Sequence, residues 1–156
     1  MPASALALAV GIGFVAGLRT FTAPAAVSWA AHLGWLDLGH TKLAFMGSTA
    51  AVVIFSLLAV AEYVGDVLPF TPNRTKPGPL FARWVSGALS GACLNAAAEG
   101  PMVVGAGWGM LGALIGTYVG YLARTRTVRA LKVKDIFVAI PEDIIAIALA
   151  LFIVSR

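Results

Sequence analysis

Charge is what this sequence has least of. Only 12% of its 156 residues are Asp, Glu, Lys or Arg, whereas a soluble domain is about a quarter charged. Half the usual charge cannot coat a globule. That excludes a disordered chain, a secreted miniprotein and an ordinary soluble enzyme. Cysteine is nearly absent too. The single Cys93 cannot close an internal disulfide and lies in an apolar run of small residues, where it reads as a packing residue. Histidine occurs twice, at His32 and His40, with no third ligand nearby, so no metal site is expected. Ser28, Ser56, Ser86 and Ser90 have no histidine base within convincing range, so no hydrolase triad and no catalytic residue is expected. Phosphate loops are missing as well. Gly11, Gly13 and Gly17 lie inside an apolar helical run with no strand before it, which removes the dinucleotide reading. No motif names a cofactor, and the balance leans away from an enzyme.

What the chain has is apolar length. Hydrophobic residues make up 60% of it, and mean hydropathy is +0.90. This predicts an all-α, polytopic membrane protein: one transmembrane domain over residues 1–156, a compact bundle of five to six transmembrane helices. Six apolar segments stand out, Ala3–Leu18, Pro24–Leu38, Leu43–Ala61, Leu80–Ala98, Met102–Ala123 and Ile136–Val154. At ~1.5 Å per residue the last four each reach about 30 Å, the thickness of a hydrocarbon core. The first two are shorter. They read either as two spans or as one broken, re-entrant element around Arg19–Pro24. Met1–Leu18 lacks the basic n-region of a signal peptide and reads as a retained helix.

The net charge is +4, but most basic residues flank apolar spans, where they orient helices or meet anionic lipid; no nucleic-acid partner is expected. Arg124, Arg126, Arg129, Lys132 and Lys134 crowd one segment, so loop 124–135 is expected in the cytoplasm. Alternating from there places nine of the 11 basic residues inside, and Lys42, Arg156 and the C-terminus outside. The expected location is the cytoplasmic (inner) membrane.

Two patterns suggest internal order. At an offset of 55 residues, Arg19-Thr20, Pro24 and Trp29 fall on Arg74-Thr75, Pro79 and Trp84, and Tyr63-Val64-Gly65 falls on Tyr118-Val119-Gly120. This is the expectation of a repeat of helical hairpins, an arrangement in which transporters bind substrate at the repeat interface. Small residues also recur four apart, at Gly13 and Gly17, Gly87 and Gly91, Gly105 and Gly109, then Gly112, Gly116 and Gly120. Such faces allow close helix packing, within the bundle or between copies in a homo-oligomer.

The acids carry the functional signal. Glu62 and Asp66 are one helical turn apart and share a face. Glu142 and Asp143 follow Pro141 inside an apolar run, where a carboxylate is costly and faces an interior or a water cavity. They read either as structural partners of Arg19, Arg74 and Arg83 or as a site for a cation, a proton or a polar substrate.

Taken together, Ala16-Gly17-Leu18-Arg19 with Pro24 downstream, and Glu62-x-x-x-Asp66-x-x-Pro69, resemble a bacterial integral-membrane family of unknown function, domain-of-unknown-function family 4126. The glycine-rich later helices and the basic segment before the last span are similar too. The chain departs from that family's pattern after Pro69, where Phe70-Thr71-Pro72-Asn73 contains no acid. The resemblance implies a small multi-span protein and no activity.

The leading expectation is a small membrane transporter or channel for an ion or small polar solute. Glu62, Asp66, Glu142 and Asp143 would attract cations, with Arg19 and Arg74 as countercharges or anion binders. The alternatives are a membrane enzyme or lipid-handling protein gripping a phosphorylated headgroup with Arg74, Lys76 and Arg83, and a structural subunit of a membrane complex docking through glycine faces.

Overall fold

The computed structural model describes residues 3–66, 75–132 and 135–156. Among them the chain is all-helical: α1 (Ala3–Leu18), α2 (Thr22–His32), α3 (Thr49–Asp66), α4 (Pro77–Ala97), α5 (Met102–Leu131) and α6 (Ile136–Val154), with a single 3-10 turn at Ala44–Gly47. Among the described residues, three helices are both long and apolar enough to cross a membrane: α3, α5 and α6. The bounds of α1 and α6 coincide with the expected segments. Four others need correction.

The segment expected at Pro24–Leu38 is an 11-residue helix ending at His32. Gly34 stops it by taking a left-handed backbone, φ +77°, so that the Gly34 and Trp35 N–H groups donate to the Ala31 and Ala30 carbonyls. At ~1.5 Å per residue α2 is only about 16 Å long. It is nevertheless separate from α1, across a reversal at Arg19–Phe21. The segments expected at Leu43–Ala61 and Leu80–Ala98 shift to Thr49–Asp66 and Pro77–Ala97. In α4, Pro77 occupies the first turn, where its missing N–H leaves nothing unpaired. The largest correction is to the last basic segment. Arg124–Leu131 is not loop but two further turns of α5, which closes at Lys132 in a left-handed conformation.

The helices alternate in direction. Thr22, Trp29 and His32 of α2 meet Tyr63, Ser56 and Gly47 in turn, so α2 and α3 are antiparallel. Gly11 and Arg19 meet Ile153 and Asp143, so α1 and α6 are antiparallel too. The core is a backbone-to-backbone sandwich of α1, α5 and α4. A Cβ placed on Gly13 or Gly17 would fall on the backbone of Gly109 or Ala113, and one on Gly112 or Gly116 on that of Val10 or Phe14. On the other side, Gly87 and Gly91 meet Gly109 and Gly105 in the same way. Gly13, Gly17, Gly87, Gly91, Gly105, Gly109, Gly112 and Gly116 thus pack against backbone within the chain.

Burial runs opposite to a soluble protein. Arg19, Ser28, Arg83, Ser90, Asn95 and Thr117 are buried, while Leu57, Val64, Phe137, Ile144 and Phe152 are each more than half exposed. Only 17% of the α3 span faces the interior. Contiguous apolar surface of this kind marks a partner or a membrane.

Candidate functional site

Most of the charged residues, though not Asp37, Lys42, Glu99 or Arg156, gather at one end of the bundle, where α1, α3 and α5 arrive and α2, α4 and α6 depart. The α1–α2 reversal organises them. It presents the N–H groups of Thr20 and Phe21, just ahead of α2, and α2 has no side-chain cap of its own. Glu62 reaches over from α3 to accept both. One carboxylate oxygen accepts the Thr20 N–H at 2.8 Å and the other the Phe21 N–H at 2.9 Å. Arg83 treats the end of α1 in the converse way. Its Nε donates to the Gly17 carbonyl at 3.2 Å, another nitrogen donates to the Pro79 carbonyl, and it stands 3.7 Å from Glu62. Ser86 donates to the Thr20 carbonyl and Thr117 to the Gly17 carbonyl at 3.3 Å. Glu62 and Arg83 thus hold the reversal closed.

The reversal delivers Arg19 into the bundle, where its side chain is 1% exposed. It lies 2.8 Å from an Asp66 oxygen and 2.5 Å from an Asp143 oxygen, with the Tyr63 ring 5.8 Å from its guanidinium carbon. The same Asp66 oxygen accepts from Arg124 at 2.6 Å, so one carboxylate bridges two guanidiniums. Arg124 also forms a two-pronged pair with Asp135 and lies 3.5 Å from Glu142. Bidentate pairing of this kind fixes both partners.

The one-turn spacing of Glu62 and Asp66 sends them to different tasks, Glu62 to the α2 terminus and Asp66 to Arg19 and Arg124. The adjacent pair on α6 also divides. Asp143 faces inward to Arg19, and Glu142 turns a third of a turn aside toward Arg124. Of the expected site residues, Glu62, Asp66, Arg19, Glu142 and Asp143 come together. Arg74 lies outside the described residues, as does Pro69. Arg83, expected as a phosphate ligand, is buried and engaged with carbonyls and Glu62.

Arg124 was missed as a site residue because it begins a run of basic residues that looks like an orientation signal. A signal for it exists. It continues the four-residue series Gly112, Gly116, Gly120, and so lies on the inward stripe of α5.

Beside the cluster is a cleft of about 370 Å³ between α5 and α6, floored by α1, whose mostly apolar lining includes Arg124 and Glu142 midway along it. It exists because α6 packs on α1 and α2 and hardly on α5.

A family model described as "Domain of unknown function (DUF4126)" matches residues 6–155. No curated protein and no solved structure matches the chain.

Proposed function

We propose that this chain, which belongs to the family described as a domain of unknown function (DUF4126), is an integral membrane carrier for an ion or small polar solute. In this reading the helices form one domain in the cytoplasmic membrane, α2 reaching only about half-way across it, with the charged end and its basic flank inside. Apolar surface outside and polar groups within support the membrane reading. A duplicated hairpin is supported by α2 and α4 starting 55 residues apart, at Thr22 and Pro77.

One observation carries the functional reading. Glu142 and Asp143 interrupt an otherwise apolar helix and reach arginines on two other elements, Arg124 and Arg19. Intramembrane carboxylates are costly enough to be kept for a purpose. A proton or a cation competes with an arginine for the same oxygens, so its arrival weakens the ties between α6 and its neighbours. Pro141 precedes the pair and leaves the carbonyl of Phe137 without its helical donor, which makes α6 easiest to bend there. The tight glycine core of α1, α4 and α5 would be the fixed part and α6 the moving part. Asp66 and Arg19 would hold the site, Glu62 would shape it, and Arg74 would stand as a further countercharge.

The test separates carriage from architecture. Breaking a buried ion pair costs ~3 to 5 kcal/mol in soluble proteins. Asp143→Asn should pay that penalty, because Arg19 is buried against it. Glu142→Gln should fold, keep a near-normal melting temperature in detergent, and lose ion flux into liposomes. A wild type without flux, together with a severely destabilised Glu142→Gln, overturns the carrier reading.

A further inference from the structure

The cleft between α5 and α6 opens sideways on the apolar flank of the bundle. Its rims are Val119 on α5 and Ile145 on α6, 47% and 60% exposed. Phe14 and Leu18 of α1 floor it, and Ala123 and Val138 line its two sides. Midway along it Arg124 stands 3.5 Å from Glu142 and is gripped elsewhere by Asp66 and Asp135. These charges satisfy one another, and the rest of the lining is nearly all apolar. At ~1.5 Å per residue, Val119 to Thr127 measures about 12 Å along α5. Apolar walls, a sideways opening and a volume of about 370 Å³ suit a hydrocarbon chain entering from the bilayer.

The Thr127 end of the cleft is basic. Helix α5 has 30 residues, about 45 Å at ~1.5 Å each, against a hydrocarbon core of about 30 Å. The excess is its charged end, which brings Arg126 and Arg129 to the level of lipid headgroups. Arg126, Arg129 and Lys132 are exposed, and among the described residues none of them joins an ion pair. The acids of this end are engaged already. Glu62 holds the reversal and faces Arg83, Asp66 and Asp143 take Arg19, and Asp135 and Glu142 take Arg124. The surplus charge is therefore positive. Arg126 continues the stripe of Val119 and Ala123 along the rim, and Thr127 beside it lines the cleft and offers a hydroxyl. A soluble anion has no use for the apolar walls, and a neutral lipid none for the arginines. An anionic phospholipid matches both.

We infer that the cleft binds one anionic phospholipid, an acyl chain lying between α5 and α6 over Phe14 and Leu18, its phosphate at Thr127 and Arg126. The lipid fills the gap that keeps α6 off α5, so it ties α6 to the glycine-packed core where protein contacts are few. The inference goes beyond the carrier reading. It needs a bilayer around the chain and no solute flux.

The experiment gives the purified full chain, in detergent, dioleoylphosphatidylglycerol or dioleoylphosphatidylcholine and counts retained lipid by native mass spectrometry. Phosphatidylglycerol should bind about tenfold more tightly than phosphatidylcholine and should raise the melting temperature. Glycerol phosphate, the headgroup without its chains, should do neither. Ala123→Phe fills the cleft, leaves every charge in place, and should weaken phosphatidylglycerol binding by about tenfold or more. Arg126→Gln should weaken it about fivefold, the effect of one basic residue at an anionic lipid surface, and Arg126→Lys should restore most of the loss. Arg156→Gln, at the opposite end of the bundle, should change nothing. A phosphatidylglycerol with a diazirine in its acyl chain should label residues 119–123 and 138–145 of the wild type, which tests the cleft even if Ala123→Phe misfolds. Equal binding of the two lipids, undiminished binding by folded Ala123→Phe, or labelling confined to other helices overturns the inference. Protection by glycerol phosphate alone overturns it too, because the cleft then plays no part.

Discussion

Glu62 shows how one side chain can do the work of a local motif. Helices usually begin with a Ser, Thr, Asp or Asn that caps their own first N–H groups. Phe21 stands at that place in α2 and cannot do so. Glu62, 41 or 42 positions away, instead accepts the Phe21 and Thr20 N–H groups that lead into the helix, so the turn into α2 is built from a long-range contact. Hydrogen bonds to charged groups contribute ~1.5 to 3 kcal/mol each. Glu62→Ala removes two of them and the Arg83 countercharge, and should destabilise the protein by about 3 to 6 kcal/mol. Glu62→Gln keeps one acceptor oxygen and should lose about half as much. Unfolding in detergent followed by circular dichroism measures both. An unshifted Glu62→Ala curve would show that the reversal is held by other contacts.

At the scale of elements, the glycines decide which helices are core and which are not. Gly109 faces the Gly87 carbonyl oxygen, and a Cβ there would fall on it. Gly107, two residues earlier on the same helix, is exposed with nothing within 4 Å of a Cβ. The two substitutions therefore diverge although the chemistry is identical. Gly109→Ala must push α4 and α5 apart and should sharply lower the melting temperature. Gly107→Ala should be neutral or stabilise by up to about 1 kcal/mol, the helix-propensity difference. Parallel melting curves of the two variants check this, and equal effects would count against the backbone-to-backbone packing. The same packing explains the cleft. Where glycines bring α1, α4 and α5 together there is no space, and where α6 presents Val138, Pro141 and Ile145 to α5 a gap remains.

For the whole molecule, the placing of the basic residues sets the expected orientation. Charged ends and apolar flanks are segregated, and the basic residues Arg126, Arg129 and Lys132 sit on or just beyond the last turns of α5. Short basic flanks stay in the cytoplasm. Cys93 is fully buried, so single-cysteine labelling has little background. A cysteine replacing the exposed Ala130 should resist a membrane-impermeant maleimide in intact cells and react after lysis. One replacing the exposed His40 should react in intact cells. The reverse pattern would invert the proposed topology.

How much was legible in the sequence follows from what kind of quantity each feature is. Hydropathy adds up locally along the chain. It was therefore enough to predict a helical protein with apolar spans, and to bound Ala3–Leu18 and Ile136–Val154 as observed. The cost of an intramembrane carboxylate is also local, which is why Glu62, Asp66, Glu142 and Asp143 stood out before any contact was known. Partner choice is not local. Asp66 takes Arg19 and Arg124 together, and Arg83 serves the α1 terminus, because of how far each helix is rotated and slid against the next. Glycine contacts between α1, α4 and α5 set that rotation and slide, and they depend on all three helices at once. The helical continuation of α5 through Arg124 was hidden for the same reason. In the sequence a basic run reads as a loop, and only the ion pairs with Asp66 and Asp135 reveal its first arginine as part of the interior.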